Sequence, residues 1–128
     1  MYSKSQTLIT GVYRTGTEYL TQLINTHREI SATMYRVNVL RFIYNKYNPI
    51  EDEKNYTKAL KELKERLQER YKLDIDINNI IEHIKLKKVK LTYGYLYDLI
   101  MSELYLDENK SHWAEKNQLL WREIPQFI

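Results

Sequence analysis

With 128 residues, 43% of them hydrophobic and 12 of them tyrosine, the chain is long enough to bury one core and is about the size of one domain. A net charge of +3, from 20 basic and 17 acidic residues, is too mild to imply nucleic acid, and the lack of cysteine excludes disulfides, a thiolate nucleophile and zinc–thiolate sites. No apolar run approaches the roughly 20 residues of a membrane span and no charged-then-apolar leader is present, so no membrane partner and a cytoplasmic location are expected.

In chain order, residues 6–27 read as a strand, a tight loop and a helix. Leu8, Ile9 and Val12, with Thr7 before them and Thr10 among them, suit a strand over 6–12 covered on both faces. After the loop, Leu20, Leu23, Ile24 and His27 recur at i, i+3, i+4 and i+7, one stripe of an amphipathic helix. A strand feeding a helix through a turn bracketed by Gly11 and Gly16 aims backbone N–H groups and the positive helix end at one point, where an anion fits. Thr17 stands where a nucleoside-triphosphate loop needs lysine, and the cation has moved inward to Arg14, so a shorter phosphate chain gripped by a guanidinium fork is expected and a phosphate-loop kinase is not. The structural alternative is a capping box, with Thr15 and Glu18 satisfying each other's N–H groups.

Residues 30–34 are β-prone and suggest a second short strand. Val37, Leu40, Ile43, Tyr44 and Tyr47 predict a helix over 36–47, stopped by Asn48-Pro49. Tyr56, Leu60, Leu63, Leu67 and Tyr71 mark an amphipathic helix within the charged stretch 51–72, whose i,i+4 charge pairs solubilise one face. Asp76 and Asn78 can cap a helix ending near Lys87, and Thr92 can start another. Lys85, Lys87, Lys88 and Lys90 suit a solvated helix end, and the tyrosines at 93, 95 and 97 suit packing. After a loop at 107–110, His112 to Lys116 reads as a buried strand with His112 and Lys116 on one face and Glu115 on the other, and helical spacing follows to Phe127. Residues 51–106 thus form a helical insertion between two parts of an α/β core.

At both ends the chain resembles the sulfotransferases that use 3′-phosphoadenosine-5′-phosphosulfate (PAPS). The run from Gly11 to Leu20 is similar to their 5′-phosphosulfate loop, G-x-P-[RK]-[ST]-G-T-[ST]-x-L, and Asn25 to Ile30 to the S-H-P-x-I-like segment after it. His112-Trp113-Ala114-Glu115-Lys116 resembles the W-G-E-K segment, whose lysine lies near the transferring sulfuryl group. Tyr13, Glu18 and Arg28 depart from the first pattern, and Ala114, Asn117 and Gln118 from the second.

The resemblance implies an α/β, P-loop-like three-layer core with parallel strands and a large helical insertion. It implies sulfuryl transfer from PAPS to a hydroxyl or amine without a metal. Arg14, Thr15, Gly16 and Thr17 would hold the donor, and Arg14 and Lys116 would neutralise the leaving phosphate. The family's glutamate base near the second strand has no counterpart, since Met34 and Tyr35 stand there; His112 is the candidate that shares a face with Lys116. Relatives continue into a 3′-phosphate site beyond Pro125, so an incomplete domain, inactive alone, is expected. The alternatives are a non-catalytic helical interaction protein and a reduced nucleotide-binding relative. Acceptor and oligomeric state are not legible.

Overall fold

The computed structural model describes residues 5–10 and 16–117. It is an α/β arrangement built on three parallel strands, β1 (Ser5–Ile9), β2 (Ile30–Met34) and β3 (His112–Lys116), in the order β1-β3-β2. The last strand in sequence is the central one. Ser5 and Ile30 lie opposite His112, while Ile9 and Met34 lie opposite Lys116. All three strands therefore end at one edge, where open parallel sheets receive ligands.

Alternation along β3 divides its side chains between two environments. Trp113 faces the larger core and donates its indole N–H to Asp98 at 2.8 Å. Ala114 faces the other side, packing with Ile9 and Ala32 near the helix α1 (Thr17–Ile24). Between β2 and β3 the chain forms a short helix α2 (Val39–Phe42), then α3 (Glu53–Tyr71), α4 (Ile77–Leu86) and α5 (Tyr93–Tyr105). Leu60, Leu63 and Leu67 of α3, Ile80 of α4, and Leu96 and Ile100 of α5 are buried in the core that also takes Trp113. Asp76 caps α4 by accepting from Asn79 N at 3.1 Å, and Thr92 caps α5 by accepting from Tyr95 N at 3.1 Å. No helix among the described residues is long and apolar enough to cross a membrane.

Three expectations are corrected. The first strand is covered on both faces at its C-terminal end alone: Leu8 packs against the larger core and Ile9 is buried with Ala32 and Ala114 on the other side, whereas Ser5, Gln6 and Thr7 are exposed, and Val12 lies outside the described residues. Of the apolar stripe of the first helix, Ile24 packs toward the sheet but Leu20 and Leu23 are 45% and 53% exposed, and the face turned to the strands is completed by the buried Thr17 and Thr21. Small residues let α1 approach the strands closely, and Thr21 satisfies its hydroxyl by donating to Thr17 O at 2.7 Å. The helix expected over 36–47 shrinks to four residues. Asn38, its N-cap, and Asn45 take left-handed φ values of 44° and 60°, which an α-helix does not continue through; the N–H groups of Val37 and Asn38, unpaired at any helix start, donate to Glu115.

Candidate functional site

Lys116 ends β3 and is 1% exposed. Its Nζ lies 3.7 Å from Glu18 Oε1 and 5.0 Å from the ring centre of Tyr35. A buried ammonium requires compensation for lost hydration, and these contacts supply it on two sides. Glu18 is 71% exposed, so the carboxylate sits at a mouth open to solvent while the lysine lies behind it. At 3.7 Å the pair is longer than a charge-assisted hydrogen bond of about 2.8 Å.

Gly16 N-caps α1 at φ 88°, with no side-chain cap, and a Cβ added there would meet nothing within 4 Å. Glycine is required there by the left-handed backbone and not by space. The capping-box expectation is thereby corrected, since Gly16 occupies the cap assigned to Thr15 and the Glu18 carboxylate points at Lys116. Arg14 and Thr15, with the rest of residues 11–15, lie outside the described residues, as does the expected helix after Asn117. The described residues on either side of that loop are Thr10, which follows β1, and Gly16, which precedes α1. The Thr10 hydroxyl is buried with no hydrogen-bond partner among the described residues. Beyond Lys116, Asn117 N donates to Ile9 O at 2.8 Å, which ties the ends of β1 and β3 together.

The structure brings Thr17, at the start of α1, and Lys116 to one edge, but not His112. His112 opens β3, opposite Ser5 and Ile30, and its Nδ1 is hydrogen-bonded to the Ser5 hydroxyl. Residues four apart share a strand face, yet the rise of about 3.3 Å per residue separates His112 from Lys116 by roughly 13 Å. The shared face was read correctly and the distance along it removes His112 from the site.

Glu115 points to the helical side of the sheet and is fully buried. Oε2 accepts from Val37 N at 2.9 Å and Thr33 Oγ1 at 3.2 Å; Oε1 accepts from Asn38 N at 2.6 Å and from the Tyr97 hydroxyl. Burial pushes the carboxyl above the usual carboxylate range, against these donors, which pull it down. Burial and then the neighbouring Glu115 hold the Tyr97 hydroxyl well above its ordinary value. Tyr35 is the neighbour of Lys116 that sequence reasoning did not connect with it: it follows β2 with φ 58°, and its N–H donates to Lys116 O at 3.2 Å. No local pattern marks Tyr35. Glu115 did carry a signal, because a carboxylate between buried neighbours on a strand must be met by donors. Comparison of the chain with protein-family models, curated proteins and solved structures returned no match.

Proposed function

We propose that the chain is a sulfotransferase-like protein with a P-loop-like core that binds PAPS at the C-terminal edge of its sheet and directs the sulfuryl group to a hydroxyl or amine. The observation that supports this reading most is the position of Lys116, a buried cation at the end of the central strand, beside the first turn of α1 and the end of β1. In this reading the Gly16 and Thr17 N–H groups at the positive end of α1 and the loop before them cradle the 5′-phosphosulfate. Arg14 grips it with a planar fork, and Lys116 neutralises the leaving phosphate oxygen. The acceptor's proton has no assigned base.

Calorimetric titration with 3′-phosphoadenosine-5′-phosphate tests the reading. Arg14→Ala and Lys116→Ala are each expected to weaken binding by about 2–5 kcal/mol, the usual cost of truncating one partner of a charged contact. Preference for ATP with magnesium, or equal affinity in wild type and both variants, overturns it.

One observation favours the second reading, a reduced relative that binds the nucleotide poorly: the Glu18 carboxylate faces Lys116 where donor charge would lie. Glu18→Thr is then expected to tighten binding. Unchanged affinity in that variant removes the support for this second reading.

A further inference from the structure

We propose that Glu115 is a positioning residue for the Lys116 site: its buried carboxylate is the fixed anion around which residues 35–38 are wound, and through that turn it seats Tyr35 against the Lys116 ammonium. Its functional meaning rests on the reading above, whereas its geometry is independent of it.

The turn from β2 into α2 begins and ends on left-handed residues, Tyr35 at φ 58° and Asn38 at φ 44°. Bulky residues seldom adopt that region, and they stay there only when the surroundings over-determine them. Here the surroundings do so. The consecutive N–H groups of Val37 and Asn38 converge on Glu115, at 2.9 and 2.6 Å, as successive amides do around an anion. Thr33, the penultimate residue of β2, holds the same carboxylate. Tyr35 itself is tied twice through its backbone, by N–H donation to Lys116 O at 3.2 Å and by acceptance from the Tyr71 hydroxyl at 3.4 Å.

The two flanks of Lys116 consequently differ. Glu18 stands on a helix surface and is mostly exposed, so its carboxylate is free to swing away when another anion arrives. The Tyr35 backbone has no such freedom, and its ring lies 5.0 Å from Nζ. Strand alternation lets one pair of neighbours serve both faces: Glu115 anchors the turn inside the helical core, and Lys116 presents its charge on the α1 side.

The test is brief acetylation of the full chain with acetic anhydride, reading Lys116 against the exposed Lys88 by mass spectrometry. Tyr35→Ala is expected to raise Lys116 labelling several-fold. Glu115→Gln should raise it to a similar degree, because an amide N–H₂ then faces backbone donors and the turn is released. The double variant should show no further rise, since the two residues act through one structure. A Glu115→Gln protein with native circular dichroism, a lowered melting temperature and unchanged Lys116 labelling would assign Glu115 to the core alone and overturn the proposal, as would unchanged labelling in Tyr35→Ala. If Glu115→Gln does not fold, Thr33→Val removes a single donor and is expected to give a smaller rise; none would count against the proposal. Equal affinity of wild type, Arg14→Ala and Lys116→Ala for 3′-phosphoadenosine-5′-phosphate would overturn the sulfotransferase reading and leave the labelling result standing.

Discussion

Lys116→Met should make the protein more stable and less able to bind an anion. The side chain is 1% exposed, and taking an ammonium out of water costs several kcal/mol even after relaxation. Against this stands the Glu18 contact at 3.7 Å, worth about 4–5 kcal/mol at an effective dielectric constant of about 20. Glu18 is largely exposed, so screening reduces that contact to about 1 kcal/mol or less. The Tyr35 ring adds about 0.5–2 kcal/mol. Methionine has similar length and no charge to desolvate, and the Glu18 carboxylate left behind is exposed and stays hydrated, so a net gain of about 1–3 kcal/mol is expected. For a chain of this size that raises Tm by roughly 3–10 °C. Urea denaturation followed by circular dichroism measures the gain, and calorimetric titration of wild type and variant with 3′-phosphoadenosine-5′-phosphate measures the accompanying loss of affinity. A variant destabilised by about 2 kcal/mol or more, with affinity intact, would show that the lysine is held for the fold and would refute the reasoning.

Trp113→Phe removes the indole donor at 2.8 Å from buried Asp98 and leaves space in the core, for an expected loss of about 2–4 kcal/mol in urea denaturation. Asp76→Ala removes the side-chain cap of α4 and should cost about 1 kcal/mol, with exchange protection falling first in the amides of that helix's opening turn. Because burial raises the Glu115 carboxyl above its ordinary value of 4.5, the folded protein holds that proton more tightly than the unfolded chain. Its contribution to stability is then fully present below pH 4.5 and lost as pH rises through the folded value. Wild type should accordingly gain on Glu115→Gln as the pH of parallel urea titrations is lowered from about 8 toward 4.5, and a gap that stays constant would refute the direction.

Elements whose ends carry their own chemistry were legible in the sequence. Asp76 and Thr92 announced α4 and α5 because a capping side chain meets an N–H three residues away, and β3 follows the Asp107-to-Lys110 loop at the residues expected. The parallel course of β1 and β3, with Lys116 at the C-terminal end, was also expected. What failed depended on partners far along the chain. The apolar period of α1 records hydrophobic character, but its orientation is set by how closely Thr17 and Thr21 approach the sheet. Residues 36–47 have a helical period, yet Asn38 and Asn45 take left-handed backbone that an α-helix does not continue through, and Asn38 is held in its turn by Glu115, 77 residues onward. His112 shows a further limit, since a two-residue period tells which face a side chain occupies and nothing of its distance along that face. The assignments of Arg14 and Thr15 fall outside the described residues and rest on the sequence alone.

The strand order has a consequence for how the polypeptide is assembled. Among the described residues β1 and β2 do not pair with each other; each finds its ladder on β3, and the Ser5 and His112 side chains that meet at one end are 107 positions apart. During synthesis the first two strands therefore leave the ribosome without a pairing partner and wait until the segment ending at Lys116 follows, about 5–20 seconds later at ordinary elongation rates. Helices α3 to α5 need no such delay, because their mutual contacts are close in sequence and can form as they emerge. The middle of the chain is thus expected to be ordered before either end, with the exposed edge residues Ser5, Gln6 and Thr7 giving the waiting strand little apolar surface with which to aggregate.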